Sequence, residues 1–106
     1  MGQPAKSASV YEQFLAVPDH LVAEVIRGVL ITQPRPAARH AAASSALGAE
    51  LFGPFGRGRG GPGGWIILDE PELHLDSHIL VPDIAGWRRE RMPELPDVSA
   101  FQLAPD

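Results

Sequence analysis

Apolar residues recur along the chain with two different periods, and the first of them is helical. Val10 and Phe14 lie four residues apart in the segment SVYEQFLAVP, which is the spacing of one helix face. Ser9 precedes this face and Glu12 follows three residues later, the pattern of a capping box. The spacing predicts a short amphipathic helix that begins after Ser9 and ends at Pro18.

The next segment, HLVAEVIRGVLITQP, has the composition of two β-strands. A glycine at the centre, in Arg27-Gly28, suits a tight hairpin turn. With these two as turn residues, Ile26 pairs with Val29 and Glu24 pairs with Ile31. Because side chains alternate between faces, Glu24 shares its face with apolar neighbours. We therefore expect a carboxylate set in an apolar strand surface.

The alanine-rich segment PRPAARHAAASSALGAELFG predicts a second, longer helix. Pro36 suits its first turn, and Gly53 suits the position just after its end. Leu47 and Leu51, four residues apart, mark the face that we expect to be buried. His40 lies two turns before Leu47 on the same stripe. It should face whatever the helix packs on, near the helix start.

The remaining pattern predicts a loop and then strands. Residues 53–64, GPFGRGRGGPGG, are too rich in glycine for a regular element and indicate a flexible loop;. Short apolar runs at 65–68, 72–75 and 79–87 follow, separated by turn residues, which suggests a β-meander. The last run, ILVPDIAGW, is typical of a strand buried on both faces. Its one charged residue, Asp83, would cost roughly several kcal/mol there without a partner.

Composition and charge narrow the class of protein. A length of 106 residues, 44% of them hydrophobic, suits one small globular domain, which we place at 9–106 after a flexible tail at 1–8. The absence of cysteine excludes disulfides and thiolate metal sites and favours a cytoplasmic location;. No stretch is long enough to span a membrane. The net charge of −4 argues against a protein whose main role is to coat nucleic acid;.

Glu24 and Asp83, two acids on apolar strands, are the clearest chemical feature of the sequence. Hard cations such as Mg²⁺ prefer carboxylate oxygens, and a bound cation would neutralise charges that a core rejects. With a phosphodiester as substrate, the metal could activate water and stabilise the leaving oxygen. Alternatively, each carboxylate pairs with an arginine, caps a turn, or lies at a sheet edge that faces water.

Four short motifs occur in an order that resembles the Uma2 family of proposed restriction endonucleases. A Y-x-x-F helix is followed by an E-x-x-x-G hairpin, by a proline-containing turn that leads to a histidine, and by a V-x-P-D strand. The resemblance runs from about residue 9 to the last residue. The matching residues are Tyr11, Phe14, Glu24, Gly28, Pro34, Pro36, His40, Val81, Pro82 and Asp83.

The resemblance implies an α+β fold similar to the PD-(D/E)XK nucleases, with a mixed β-sheet, an N-terminal helix, a hairpin and one long flanking helix. It implies that Asp83 and Glu24 bind Mg²⁺ or Mn²⁺ and that the substrate is DNA. His40 would be a further residue of the catalytic site, with no role assigned. Without the resemblance, His40 also fits a core-edge histidine that makes one hydrogen bond.

The family pattern continues with a second acid on a strand and a lysine on a helix, and neither is found here. Glu90 has Met92 where a lysine would be needed, and Lys6 lies in the expected tail. We therefore expect residues 9–106 to be the N-terminal part of a Uma2-like domain, an incomplete PD-(D/E)XK fold that lacks its catalytic C-terminal part. Such a truncated chain should not be a competent nuclease.

A non-enzymatic module that binds nucleic acid or oligomerises is the alternative. Five arginines in two loops could contact phosphate groups, although they also fit a solvated surface. A sheet edge left open by the missing part would favour pairing with a second copy, so a homodimer is expected. The five arginines are Arg57, Arg59, Arg88, Arg89 and Arg91.

Overall fold

The computed structural model describes residues 9–106, and the tail predicted at 1–8 lies outside the described residues. The described part consists of six strands, two α-helices and a π-helical turn. In chain order these are α1 (Val10–Leu15), β1 (Leu21–Ile26), β2 (Val29–Pro34), α2 (Ala38–Leu51), the π-helical turn (Phe52–Gly56), β3 (Trp65–Asp69), β4 (Leu73–Leu75), β5 (His78–Leu80) and β6 (Ile84–Arg88).

The strands form two sheets. The larger sheet has the order β2-β1-β5-β4, and β3 pairs with β6 in the smaller one. All of these ladders are antiparallel, and a parallel contact occurs at the isolated bridge between Leu73 and Phe101. The α+β class with its helix, hairpin and long flanking helix is confirmed. The predicted meander is correct for β4 and β5, which pair with each other, and wrong for β3, which pairs with β6 and not with β4.

The short helix α1 begins where the sequence predicted. The Ser9 hydroxyl accepts a hydrogen bond from the Glu12 N–H at 3.0 Å, so Ser9 satisfies one of the free donors of the first turn. Within α1, Val10 and Phe14 are the half-buried residues and the others are exposed. The apolar stripe is therefore the face that packs on the β1–β2 hairpin.

The β1–β2 hairpin has the register that its turn dictates. Arg27 and Gly28 have φ angles of 52° and 78°, the positive values that a two-residue turn of this kind requires. Glu24 pairs with Ile31, as predicted. The face that carries Glu24 is nevertheless open, since Val29 on that face is 60% exposed. The expected apolar setting of Glu24 is thus a surface and not a core.

The long helix α2 is less buried than its sequence predicted. It begins two residues after Pro36, and Gly53 lies within the π-helical turn. None of its residues is buried, and Leu47, expected to face the core, is 54% exposed. A Cβ at Gly48 would lie 3.3 Å from an Asp69 carboxylate oxygen, so glycine allows the close approach of α2 to β3. Neither helix within residues 9–106 is long and apolar enough to cross a membrane.

The run predicted as one strand at 79–87 is two strands in different sheets. β5 belongs to the larger sheet and β6 to the smaller one, and residues 81–83 cross between them. Pro82 has no N–H to donate to a ladder, so a strand is interrupted there. The side chain of Asp83 is 53% exposed. The expectation of burial on both faces is therefore wrong at Asp83.

The core lies on the face of the smaller sheet that points away from α2. Trp87 is fully buried, and its ring centroid lies 5.1 Å from that of Phe101. Its indole N–H donates to the Leu103 carbonyl at 2.9 Å. The buried cluster comprises Ile66, Leu73, Ala85, Trp87, Met92 and Phe101.

Residues 101–106 cover this core and are held to β6. The Asp106 N–H donates to the Gly86 carbonyl at 2.8 Å, and the Arg88 N–H donates to the Asp106 carboxylate at 2.9 Å. This hydrogen bond and the ion pair with Arg91 at 2.9 Å lower the pKa of Asp106. The charged form of Asp106 therefore favours the folded state above its ordinary pKa, and this contribution is lost as pH falls through the lowered value.

Replacement of the core tryptophan should show how much of the stability this cluster supplies. Trp87→Ala should lower the free energy of unfolding by about 3–5 kcal/mol, because it removes a fully buried ring and leaves a cavity. Trp87→Phe, which loses the indole N–H but keeps an aromatic ring, should cost less and keep the domain folded. Urea unfolding followed by circular dichroism measures both.

Leu15→Ala is the control, because this leucine is 63% exposed. Its free energy of unfolding should stay within about 0.5 kcal/mol of the wild type. Equal losses in the Leu15 and Trp87 variants would contradict the position of the core.

Candidate active site

The three residues predicted as site residues line one open cleft of about 530 Å³. Glu24 comes from the middle of β1, His40 from the first turn of α2, and Asp83 from the crossing between the sheets. The structure therefore brings together side chains that are far apart in sequence. We call this space the larger cleft.

His40 and Asp83 are in direct contact. The His40 Nε2 and Asp83 Oδ2 atoms are 3.0 Å apart, and the two side chains are 51% and 53% exposed. His40 thus makes one hydrogen bond, but at the surface and not at a core edge. An exposed pair of this kind contributes only about 0–1 kcal/mol to stability. The pair therefore adds little to the stability of the fold.

Glu24 is tied to the same crossing segment by a backbone hydrogen bond. Its Oε2 atom accepts from the Val81 N–H at 3.0 Å, two residues before Asp83. Neither Glu24 nor Asp83 pairs with an arginine within residues 9–106. Pairing with an arginine therefore does not explain either acid within residues 9–106.

The donor atoms in the larger cleft suit a hard divalent cation. The hydrogen bonds just described use one oxygen each of Glu24 and Asp83, and the other oxygens make none within residues 9–106. Mg²⁺ is commonly bound through one or two carboxylates, with water and phosphate oxygens as its other ligands. Within residues 9–106, no group of three or more His, Asp or Glu side chains is placed so that it could hold a metal ion, so Glu24 and Asp83 would supply at most two ligands of an open site.

A smaller cleft of about 380 Å³ shares His40 and Asp83 with the larger one and is also lined by Arg35, Asp69 and Glu70. Asp69 ends β3, and the Glu70 N–H donates to the Asp83 carbonyl at 3.0 Å. Asp69 and Glu70 were not predicted as site residues, because the expected meander placed β3 beside β4 and not beside β6. The signal was an acid pair at the end of the apolar run WIILDE.

The arginines proposed to contact phosphate lie elsewhere. The Arg57 guanidinium lies 5.0 Å from the centroid of the Phe52 ring, and that of Arg88 lies 5.0 Å from the Trp65 ring. All five of these arginines are exposed, and none lines the larger or the smaller cleft. The stacked pairs explain the position of two of them without a ligand.

One solved structure has the same arrangement of elements. It is the crystal structure of a "putative nuclease belonging to DUF820" from Anabaena variabilis, with a TM-score of 0.69 and 20% sequence identity. The chain therefore shares its fold with that DUF820 protein. The match covers 93% of this chain and 55% of the Anabaena protein, so the chain spans about half the length of that protein. No protein-family model and no curated protein matches the sequence.

Substitutions at Glu24 should separate its structural from its chemical contribution. Glu24→Ala leaves the Val81 N–H without its partner and should lower the free energy of unfolding by about 1 kcal/mol. Glu24→Gln keeps an acceptor oxygen and should lose less than half of that amount. Thermal and urea unfolding measure both values, and equal losses would mean that stability needs the negative charge and not only the acceptor.

Proposed function

We propose that this chain forms part of a metal-dependent nuclease site that acts on phosphodiester bonds of DNA. The observation that supports the proposal is that Glu24, His40 and Asp83 converge on one cleft from three elements. The fold is similar to that of a protein described as a putative nuclease. The DNA substrate rests on the family resemblance.

In this proposal, Asp83 and Glu24 hold Mg²⁺ or Mn²⁺ through their carboxylates. When bound, the cation would act as a Lewis acid that activates water and neutralises charge at the phosphate. His40 is a positioning residue, because its hydrogen bond to Oδ2 restricts the rotation of the Asp83 carboxylate. The Val81 N–H restricts Glu24 in the same way.

We further propose that the chain by itself binds the metal but does not cleave DNA. The resemblance requires a second acid and a lysine, and the one lysine of the sequence is Lys6. Without the second acid and the lysine, both the activation of water and the stabilisation of charge at the reacting phosphate would be incomplete. The expected homodimer also stays a prediction.

Metal binding can be tested by thermal unfolding. Mg²⁺ or Mn²⁺ at about ten times its dissociation constant should stabilise the protein by about 1.4 kcal/mol, which is a rise in Tm of about 5–10 °C for a domain of this size. The rise should be lost in Asp83→Asn, since the amide is a much poorer ligand for a hard cation.

Asp76→Asn provides the matched control. Asp76 is exposed in the turn between β4 and β5 with a φ of 54°, a conformation that asparagine tolerates. This variant removes the same charge outside the larger cleft and should keep the full shift. If wild type shows no shift, while salt-sensitive DNA binding survives Asp83→Asn, the protein is a non-enzymatic module and the proposal fails.

Cleavage should be absent from the isolated chain. Supercoiled plasmid DNA incubated with the protein and Mg²⁺ or Mn²⁺ should remain supercoiled, as judged by gel electrophoresis. Metal-dependent nicking that disappears in Asp83→Asn would support the site but contradict the proposed need for a further acid and lysine.

A further inference from the structure

We infer that Arg35 binds a phosphate group of the nucleic acid beside Asp83. The inference rests on the proposed nuclease function and adds a specific contact to it. Arg35 lies in the link between β2 and α2 and lines the smaller cleft together with His40 and Asp83. It is the one arginine among the residues that line the two described clefts.

The guanidinium group of Arg35 is anchored at one nitrogen. Its Nε atom donates to the Asp19 carbonyl at 2.9 Å. The two terminal nitrogens make no hydrogen bond and no ion pair within residues 9–106. An anchored guanidinium loses less conformational entropy when it binds a ligand than a free one does. The side chain is therefore held in place with its donors available.

The backbone around Arg35 is also restricted. Pro34 and Pro36 flank it, so the φ angles of both neighbours are fixed near −65°. A residue that precedes proline is itself biased towards extended conformations. The backbone of the segment that carries Arg35 thus has few alternative conformations, which restricts where the side chain leaves the chain relative to α2.

The smaller cleft is lined by three acids, so a phosphodiester can bind there only if a positive charge offsets their repulsion. Asp69, Glu70 and Asp83 all line this cleft, and their negative charges repel a phosphate. Arg35 forms an ion pair with none of these acids, so its charge is not neutralised within the described chain. A guanidinium also offers two parallel N–H donors that match the oxygens of a phosphate.

A purely structural role would predict a different contact pattern. An arginine that only stabilises the fold beside three acids should pair with one of them, as Arg91 pairs with Asp106 elsewhere in the molecule. Arg35 instead donates to a neutral carbonyl, which orients the side chain without neutralising it. The available charge points to an anionic ligand from outside the chain.

The test is the salt dependence of DNA binding by the full chain. A fluorescein-labelled DNA duplex is titrated in Mg²⁺ at several salt concentrations, with fluorescence anisotropy as the readout. Arg35→Ala should weaken binding about tenfold and reduce the slope of log Kd against log salt by about 0.9, the value for one phosphate contact. Arg35→Lys should restore the slope but only part of the affinity, because it keeps the charge and loses the paired donors.

Arg59→Ala is the matched control. Arg59 is exposed in the glycine-rich segment and lines neither cleft, so its removal changes the net charge equally and should leave the slope unchanged. The variants should have the same Tm as the wild type, since both arginines are exposed.

The remaining outcomes separate this inference from the proposed function. DNA binding by the wild type that Arg35→Ala leaves unchanged would overturn the assignment of Arg35 and leave the nuclease proposal standing. A slope that falls in Arg59→Ala and not in Arg35→Ala would place the phosphate contact in the glycine-rich segment. No DNA binding by the wild type would overturn both.

Discussion

The interruption of the sheet at Pro82 is the constraint on which the geometry of the site depends. Because proline cannot donate to a ladder, the chain leaves the larger sheet after β5 and enters the smaller sheet at β6. Two backbone groups next to Pro82 are paired: the Val81 N–H donates to the Glu24 carboxylate, and the Asp83 carbonyl accepts from the backbone N–H of Glu70. Asp83 is therefore exposed at the junction of the two sheets, where carboxylates from both can approach it.

This junction also determines how α2 is held. The helix has no buried residue, so its position depends on a few specific contacts. At its start, His40 forms a hydrogen bond with Asp83. After its end, the Phe55 and Trp65 rings pack nearly perpendicular to each other, with their centroids 6.5 Å apart. The contact of α2 with the site is thus one of its few attachments. A ligand that binds Asp83 would therefore act directly on the hydrogen bond that holds the start of α2.

Local features were predictable from the sequence, and non-local ones were not. The two-residue turn at Arg27-Gly28 fixes the hairpin register, so the pairing of Glu24 followed from the sequence alone. Pro82 itself indicates an interruption, but the sequence does not show that the chain then enters a second sheet, because an interrupted strand and two strands in different sheets have the same apolar pattern. The β3–β6 pairing, and with it the position of Asp69, depends on that break. Leu47 shows a further limit, since helical periodicity identifies an apolar face but not whether another element covers it.

Asp83 lines both the larger and the smaller cleft. In the proposed function, the Glu24 carboxylate of the larger cleft would bind the cation, and the Arg35 guanidinium would offset the three acids of the smaller cleft when a phosphate binds. A site that hydrolyses phosphodiesters needs both, because the metal must be held while the phosphate is drawn towards carboxylates that repel it. Because Asp83 belongs to both clefts, a metal in the larger cleft and the Arg35 contact in the smaller cleft could act on the same phosphate group. The position of Asp83 at the sheet junction, and not its burial, is then the reason for a charged residue in an apolar segment.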